Sequence, residues 1–403
     1  MAEKLSISNL PLNGKRALIR VDFNVPLDNG SILDDTRIKA SLPTIQYVLS
    51  QGGAVILMSH LGRPKGKPDP QFSLKICAER LSELLNLPVK FSSDCCGPVA
   101  KSLAVNLKPG EVLLLENLRF HPGEENPEAE PGFTKALAQL GEAYINDAFG
   151  TAHRAHASTA DIAQFFQGKA AMGLLMEKEI TYLSSIFTNP KRPFYALLGG
   201  AKISTKFKVI EALMKQADLL MIGGAMAYTF FKAQEIEIGD SPYEEEFVEL
   251  AGQLIQKSEE PSGCRLLLPI DLIVADNISE EAEIRIINVT EGIPVGFQGV
   301  DIGPKTIKIY QEELKKAATI FWNGPVGIFE RPLFAKGTYA LANALSQVSA
   351  ITIVGGGDSA AAIERAGAAG SVSHLSTGGG ATLEYIEAGQ LPGITALSDK
   401  FEN

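Results

Sequence analysis

Polar and charged side chains follow apolar, strand-like segments in the first 160 residues of the chain. The first such segment leads directly into Asp22 and Asn24. The second leads into His60 and Arg63, and the third leads into Arg119. Because ligands of an open parallel sheet bind beyond the carboxyl ends of its strands, these side chains predict a binding site at one edge of a sheet.

Five side chains in this part of the chain are cationic or can become so, and each follows or neighbours a predicted strand end: Arg37, His60, Arg63, Arg119 and Arg154. The planar guanidinium group suits bidentate binding of carboxylate and phosphate. We therefore expect the group to hold a small, highly charged acid, with Asp22 and Asn24 accepting from a hydroxyl of that acid. For any single arginine the alternative is a surface ion pair of little energetic value.

Apolar segments in the last 210 residues end in glycine instead. Gly199-Gly200-Ala201-Lys202 follows one, Gly223-Gly224 follows another, and Gly355–Ser359 lies between an apolar segment and a helical one. Glycine lets backbone approach a ligand closely, and the amides at a helix start attract phosphate. Asp358 would repel a bare phosphate but suits Mg²⁺ bound between the two. We therefore predict a nucleotide site made mostly of backbone.

The alternative is that these glycines only shape short turns before helices. This alternative is disfavoured because another glycine turn before a helix occurs at 377–382, so that three such turns precede helices. No Gly-x-x-x-x-Gly-Lys-Ser/Thr loop is present, and Gly199-Gly200 lacks the third glycine of a dinucleotide-binding turn.

Composition limits the class of protein. The chain has 403 residues, a net charge of -10, 45% hydrophobic and 21% charged residues, which predicts a globular protein of about two domains. An acidic chain is a poor generic ligand for nucleic acid, and no apolar stretch approaches the ~20 residues of a membrane span. The N-terminus shows no signal peptide. We expect a cytoplasmic protein that binds neither nucleic acid nor membrane.

The cysteines and histidines do not indicate a metal site. The four cysteines are Cys77, Cys95, Cys96 and Cys264. The adjacent pair lacks a Cys-x-x-Cys spacing, and neither a His-x-x-x-His pair nor a mixed cysteine and histidine cluster is apparent. We expect reduced, mostly buried thiols and a structural role for His374.

Strand-like and helical segments alternate along the whole chain, which predicts βαβ units with helices on both faces of mostly parallel sheets. Apolar residues at spacings of three and four predict helices, which span 36–51, 74–85, 206–216, 243–257 and 172–187. The run Glu244-Glu245-Glu246 reads as a solvated helix face. The last helix is stopped by a segment that contains Pro190 and Pro193, so we expect the domain boundary and a hinge there.

These loops together resemble those of phosphoglycerate kinase. The matching segments are 20–26, 59–64, 116–120, 147–156, 199–202, 299–304, 322–327, 355–359 and 376–380. The resemblance covers nearly the whole chain, and several of the strings are long and specific. It implies an α/β fold of two Rossmann-like, doubly wound parallel-sheet domains joined by a hinge helix, in a monomeric glycolytic kinase.

The resemblance also implies a division of the chain. Residues 1–170 would bind 3-phosphoglycerate or 1,3-bisphosphoglycerate, 171–193 would form the connecting helix and hinge, 194–390 would bind ATP or ADP, and 391–403 would return to the first domain. The acid would contact Asp22, Phe23, Asn24, Arg37, His60, Leu61, Gly62, Arg63, Arg119 and Arg154. The nucleotide would contact Lys206, Gly224, Gly299, Asn323, Pro325, Glu330, Gly356, Gly357, Asp358 and Ser359. Asp358 would hold Mg²⁺, Glu330 the ribose, and Arg37 and Lys202 the moving phosphoryl group.

The chemistry of such a reaction needs no general base, because a carboxylate acceptor is already ionised at neutral pH. It needs positioning, charge neutralisation and exclusion of water, which two closing domains would supply. Two other functions stay open at this point. One is a nicotinamide-dependent dehydrogenase for an acid substrate, which would require a complete Gly-x-Gly-x-x-Gly turn. The other is a two-lobed, exported binding protein for small anions.

Overall fold

The computed structural model describes residues 3–261 and 263–400. Residues 1, 2, 262 and 401–403 lie outside the described part, and the last three belong to the predicted tail. The chain divides into two compact units. The first takes residues up to Thr181 and again from Gln390, and the second is Tyr182–Gly389. The dividing point lies inside helix α5, Leu174–Thr188.

The first unit is built on a sheet of six parallel strands. They are β1 (Arg16–Arg20), β4 (Ala54–Met58), β5 (Val89–Phe91), β6 (Val112–Leu114), β7 (Ala143–Asn146) and β8 (Ala170–Met172). Their order is β5-β6-β4-β1-β7-β8. Because the strand order reverses at β1, the loops after β1, β4 and β7 lie where open α/β sheets bind ligands. A separate hairpin pairs β2 (Leu27–Asp28) with β3 (Ser31–Ile32).

The second unit repeats this plan. Its parallel strands are β9 (Phe194–Leu198), β10 (Leu219–Ile222), β11 (Arg265–Leu267), β15 (Thr319–Asn323), β16 (Ile351–Gly355) and β17 (His374–Leu375). Their order is β11-β10-β9-β15-β16-β17, so the reversal falls between β9 and β15. An added antiparallel sheet, which the sequence did not predict, consists of β12 (Asp271–Ala275), β13 (Ile284–Asn288) and β14 (Gln298–Ile302).

Helices cover the sheets of both units. In the first unit they are α1 (Thr36–Ser50), α2 (Lys75–Leu85), α3 (Pro98–Val105), α4 (Phe133–Ala138), the start of α5 and the short α13 (Pro392–Thr395). In the second unit they are α6 (Phe207–Met214), α7 (Met226–Ala233), α8 (Val248–Ser258), α9 (Pro304–Leu314), α10 (Lys336–Leu345), α11 (Gly357–Arg365) and α12 (Gly380–Ala388). In the part of the chain that the structure describes, no helix combines the length and the apolar character that crossing a membrane requires.

Continuous apolar strands explain why both sheets are parallel and covered. Strand β4 reads Ala-Val-Ile-Leu-Met and β9 reads Phe-Tyr-Ala-Leu-Leu, and every residue of both is buried. A strand with helices on both faces needs apolar side chains on both faces. The predicted fold class, two doubly wound α/β domains, is confirmed. The loops beyond the strand ends are left to carry the polar chemistry.

Polar contacts from the loop after β7 seat both α5 and the C-terminal segment of the first unit. Asp147 Oδ1 accepts from the backbone N of Leu175 at 2.9 Å and of Met176 at 3.2 Å, and so caps the first turn of α5. The backbone N of Gly393 donates to Ala152 O at 2.8 Å. The bond from Gly393 ties the segment that begins at Gln390 to the loop that follows β7.

Most predicted helix bounds agree with the structure within two residues, but the helix predicted from Tyr243 begins late. Helix α8 starts at Val248, after a 3₁₀ turn at Glu245–Phe247. Glu244 is extended because its carboxylate accepts from Ser204 N and Oγ, at 2.9 and 2.5 Å. The prediction that this glutamate lies on a solvated helix face is therefore wrong.

Candidate active site

The loop after β1 and the first turn of α1 meet through Asp22 and Arg37. Asp22 Oδ2 accepts a hydrogen bond from Arg37 Nη1, and Asp22 Oδ1 accepts from Asn24 N at 3.2 Å. Asn24 Oδ1 accepts in turn from the backbone N of Gly62 at 2.9 Å, in the loop after β4. The Arg37 side chain stays 38% exposed, so its guanidinium is both oriented and accessible.

Two arginines of the first unit converge on one carboxylate. Arg119 Nη2 lies 3.0 Å from Glu125 Oε1, and Arg154 Nη1 lies 4.0 Å from the same oxygen. Arg119 Nη1 also donates to Gly62 O at 2.9 Å. Its buried Nε has no hydrogen-bond partner among the described residues. Glu125 thus marks a place where a single acid group meets two guanidinium groups.

Arg20 supports this edge from below, and sequence reasoning did not select it. It ends β1, is 1% exposed, and donates from Nε to Ser158 Oγ at 2.8 Å. It lies 4.0 Å from Glu124, which is fully buried and accepts from Ser158 Oγ at 2.6 Å. Burial raises the pKa of Glu124, and the Arg20 charge opposes that rise. The signal for Arg20 in the sequence was a charged residue at the end of an apolar strand.

His60 is a neutral hydrogen-bonding group and not one of the cations of the site. It is 4% exposed, and its Nδ1 lies 3.1 Å from Arg20 Nη2. Because a guanidinium can only donate, Nδ1 accepts and the ring proton lies on Nε2. Burial, followed by the nearby Arg20 and Arg119, holds the pKa of His60 well below its usual value. The expectation that His60 could be cationic is therefore corrected.

The remaining residues predicted for the acid differ in what they can offer. Phe23 and Leu61 are buried, and their backbones are fixed by Ser59 Oγ, which accepts from Phe23 N at 2.8 Å, and by Asn117 Nδ2, which donates to Leu61 O at 2.7 Å. They shape the loops through their backbone, as the resemblance implied. Arg63 is exposed directly after Gly62 and makes no hydrogen bond or ion pair with the described residues.

Glycine turns of the second unit pack so closely that side chains do not fit. A Cβ on Gly199 would lie 2.1 Å from Pro325 O, and one on Gly224 would lie 2.6 Å from Gly200 N. The backbone N of Gly200 donates to Pro325 O at 2.8 Å. Because these turns follow β9, β10 and β15, the structure brings three of the predicted nucleotide segments together at the carboxyl edge of the second sheet.

Lys206 lies beneath these turns. Its Nζ donates to Gly199 O at 2.5 Å and to Asn323 O at 3.1 Å. Burial lowers the pKa of Lys206 to about 8, although the Asp358 carboxylate acts in the opposite direction. The ammonium group and Asp358 are therefore close enough to interact, and the charge of Lys206 is marginal at mildly alkaline pH.

Helix α11 begins at the same edge. Gly356 caps it with a φ of 96°, and Asn323 Nδ2 donates to Gly355 O at 2.7 Å. The Ser359 hydroxyl is buried and accepts from Gly324 N at 2.6 Å, so it joins two of the loops. A Cβ on Gly357 would meet nothing within 4 Å, which leaves the free amides of the first turn open to an anion.

Three other predicted positions lie apart from this network of contacts. Lys202 and Glu330 are exposed, and their side chains make no hydrogen bond or ion pair with residues in the described ranges. Gly299 lies in the antiparallel strand β14, where a Cβ would lie 2.0 Å from Tyr228 Oη. Its backbone N donates to Ser241 Oγ at 2.9 Å.

The residues around Asp358 fit a magnesium ion that is shared with a phosphate. Asp358 is exposed in the first turn of α11, and its carboxylate has no hydrogen-bond or ion-pair partner among the described residues. Mg²⁺ typically takes one or two carboxylates, and phosphate oxygens and waters complete its octahedron. The free carboxylate offers a ligand to the metal, and the open backbone amides beside it offer N–H groups to the phosphate.

Elsewhere in the first unit, cysteine and histidine do come together. Asp94, Cys95, Cys96 and His121 offer ligand atoms that all lie within 4.8 Å of one another. The expectation that the chain has no mixed cysteine and histidine cluster is therefore wrong. Residues 25 positions apart meet because β5 and β6, the strands before them, are neighbours.

Two parallel α/β sheets, one with a guanidinium-rich edge and one with a glycine-rich edge, define a class of two-domain α/β proteins with two candidate anion sites. Comparison with known proteins narrows this class. Residues 7–389 match the phosphoglycerate kinase family. Phosphoglycerate kinase of Chloroherpeton thalassium is 52% identical over 400 residues, which cover 98% of this chain and 100% of that relative. That of Chloroflexus aggregans is 53% identical over 402 residues, covering 98% and 99%.

Solved structures agree with these relatives. Phosphoglycerate kinase of Coxiella burnetii has a TM-score of 0.87 at 41% identity and covers 98% of each chain. The enzyme of Pyrococcus horikoshii has a TM-score of 0.83 at 33% identity, also over 98% of each chain. The chain belongs to the phosphoglycerate kinase family and is a phosphotransferase.

The pKa of Lys206 predicts how anion binding at the second edge depends on pH. An anion prefers the charged ammonium, so above pH 8 binding must take up a proton, and the dissociation constant of ADP should rise by up to about tenfold per pH unit. Calorimetric titration from pH 7 to 10 measures this. Lys206→Arg keeps its charge over that range, so its dissociation constant should stay flat. An equal rise in both proteins would contradict the role of Lys206.

Proposed function

We propose that the chain catalyses reversible, Mg²⁺-dependent phosphoryl transfer between ATP and the carboxylate of 3-phosphoglycerate, forming ADP and 1,3-bisphosphoglycerate. The acid binds to the arginine edge of the first unit, and the nucleotide binds to the glycine edge of the second. The division of chemistry between the two sheet edges supports this assignment most strongly. One edge offers two guanidinium groups to a single acid group, and the other offers free helix amides beside an unpaired carboxylate.

Ligand roles in the first unit follow from the observed contacts. An anionic group of the acid replaces Glu125 and binds Arg119 and Arg154, since both arginines already lie near one carboxylate oxygen. His60 donates from Nε2. Arg37, held by Asp22, supplies a fixed positive charge at the exposed side of the loops. Arg63, which is exposed, adds a further positive charge.

The second unit binds the nucleotide through backbone amides at the start of α11, with Lys206 below and Glu330 at the ribose. Asp358 would hold Mg²⁺, which supplies charge neutralisation to the phosphate oxygens. Lys202 and Arg37 stabilise the phosphoryl group in transit, which carries its charge on three equatorial oxygens. No residue needs to remove a proton, because the attacking carboxylate is already ionised.

Transfer between ligands bound to different units requires those units to approach each other, so we propose bending in the region 171–193, which contains α5. Water would be excluded in that closed state, which protects an acyl phosphate from hydrolysis. We further propose that the protein is cytoplasmic and monomeric. Each unit carries its own sheet edge, so neither candidate site requires a second copy of the chain.

An assay with ATP, Mg²⁺ and 3-phosphoglycerate, coupled to a dehydrogenase that consumes the acyl phosphate, tests the function. We expect turnover that needs all three components, and thermal protection by Mg-ADP. Protection by NAD and not by Mg-ADP, with no turnover, would favour the dehydrogenase alternative.

Replacing Arg37 tests its role in the transition state. Arg37→Ala should lower kcat by roughly 10²–10³, the usual loss for one transition-state donor, because a neutral side chain cannot stabilise the phosphoryl oxygens. Steady-state kinetics measures the change. Arg265→Ala removes an exposed arginine from β11 of the second unit and should leave kcat unchanged. A loss below about threefold in Arg37→Ala would remove Arg37 from this role.

Replacing Asp358 tests the magnesium site. Asp358→Asn keeps the shape of the side chain and removes its charge, so the Kd of Mg-ADP should rise about tenfold or more, or about 1.4 kcal/mol. The Kd of 3-phosphoglycerate should not change. Glu364→Gln, at the other end of α11, is the matched control. Equal weakening of both ligands in Asp358→Asn would show that the ligands do not occupy separate units.

A further inference from the structure

Two loops of the first unit bring four potential metal ligands together, and none of the four is a residue that the proposed reaction uses. Asp94, Cys95 and Cys96 lie in the loop between β5 and α3, and His121 follows the 3₁₀ turn Leu118–Phe120. Strands β5 and β6 pair in parallel, so the loops after them leave the same edge. The ligand atoms of the four residues lie within 4.8 Å of one another.

His121 is held in the way that metal-binding histidines usually are. One ring nitrogen, Nδ1, lies 2.9 Å from Glu130 Oε1, and the other, Nε2, lies 2.9 Å from Asp94 Oδ1. The ring also stacks on Phe133, with centroids 5.0 Å apart. A metal-ligating histidine almost always donates its second N–H to a carboxylate or carbonyl, which fixes the ring and its tautomer. Glu130 is placed to do this.

Both sulfur atoms are available, and a disulfide between them is disfavoured. Cys95 is buried and Cys96 is half-buried, and both are free thiols. The Cα atoms of adjacent residues are about 3.8 Å apart across a trans peptide, which is below the usual range of about 4.4–6.8 Å for a disulfide. Cys96 Sγ lies 3.9 Å from both ring nitrogens of His121. Cys96 therefore faces the imidazole and is not joined to Cys95.

The donor set selects the kind of metal. Two sulfurs, one imidazole and one carboxylate match the N and S ligands that Zn²⁺ prefers, and they do not suit Mg²⁺ or Ca²⁺. With Zn–S near 2.3 Å and Zn–N near 2.0 Å, the ligand atoms of a tetrahedron are about 3.3–3.8 Å apart. Cys96 Sγ lies 3.9 Å from His121 Nε2, close to this spacing, whereas Asp94 Oδ1 and His121 Nε2, 2.9 Å apart, must separate slightly.

We propose that this cluster is a tetrahedral zinc site, formed by Asp94, Cys95, Cys96 and His121. Glu130 accepts from His121 Nδ1 and orients the ring as a positioning residue. On binding, both thiols and the N–H at His121 Nε2, which now donates to Asp94 Oδ1, lose their protons to solvent, and both sulfurs bond to the metal as thiolates. Asp94 Oδ1 and His121 Nε2, which now face each other, turn to the metal.

The site has a structural consequence for the arginine edge. His121 is two positions beyond Arg119, and both belong to the turn at Leu118–Phe120 and its C-cap. A bound metal would link this turn to the loop before α3. Residues 118–130, which carry Arg119 and Glu125, would therefore open less often.

Cobalt provides the direct test, because tetrahedral Co²⁺ bound to thiolates gives intense visible absorption and charge-transfer bands in the near ultraviolet. The reduced, metal-stripped full-length protein is titrated with Co²⁺, and Zn²⁺ is then added to displace it. We expect one equivalent of Co²⁺ with both band types, complete displacement by Zn²⁺, and slower hydrogen exchange in residues 118–130 with either metal. Excess Mg²⁺ should displace nothing.

Variants separate the proposed ligands from other thiols. Cys96→Ser and His121→Asn should each abolish the tetrahedral cobalt spectrum, whereas Cys264→Ser, a cysteine of the second unit, should keep it. Glu130→Gln should weaken Zn²⁺ binding about 10–100-fold in chelator competition. Because glutamine has nearly the shape of glutamate, this variant still tests the proposal if another variant fails to fold. Absence of thiolate-to-cobalt bands in the unchanged protein, or the same bands in Cys96→Ser, would overturn the proposal.

Discussion

A parallel sheet with helices on both faces leaves one edge where polar groups can act on a ligand, and both units follow this constraint. Strands such as β4 and β9 are buried along their whole length, so charge inside them would be costly. The loops at the carboxyl ends, near the reversal of strand order, are the places where side chains or amides can face solvent together. The two candidate ligand sites and the metal cluster all lie in loops at the carboxyl ends of strands, although the metal cluster follows β5 and β6, away from the reversal.

The two edges offer positive charge to an anion by different means, and each requires its own stabilising contacts. At the arginine edge the charge comes from side chains, which need fixed partners: Asp22 for Arg37, and Gly62 O for Arg119. Below them Arg20 joins His60 and Ser158. At the glycine edge the charge comes from backbone dipoles, which need no partner but require close packing of loop on loop.

That packing explains why glycine recurs there. At Gly199 and Gly224 a Cβ would lie within 2.1 and 2.6 Å of neighbouring backbone atoms, so alanine would force the loops apart. At Gly357 nothing stands within 4 Å, and the glycine leaves space that a ligand can use. The first two are therefore structural requirements, and the third is a feature of the binding surface.

The sequence predicted the strands, their polar ends and the two kinds of edge, because these depend on local patterns. It did not predict contacts between distant loops. Glu244 looks helical in a local window, but contacts with Ser204 and Thr229, which are distant in the chain, hold it extended. Cys96 and His121 lack any metal-ligand spacing and meet only because β5 and β6 pair. Glu124 and Arg20 are 104 positions apart in the chain and form a buried pair.

Burial also determines which charges of the two edges can titrate near neutral pH. In the first unit, burial and neighbouring arginines hold the pKa of His60 well below its usual value and lower that of His156 to about 4. The positive charge of that edge therefore comes from guanidinium groups, which stay protonated. In the second unit the cation beside the glycine turns is Lys206, which is half-buried, and burial lowers its pKa to about 8. The guanidinium groups of the first edge therefore keep their charge over this range, whereas the charge of Lys206 at the second edge changes with pH.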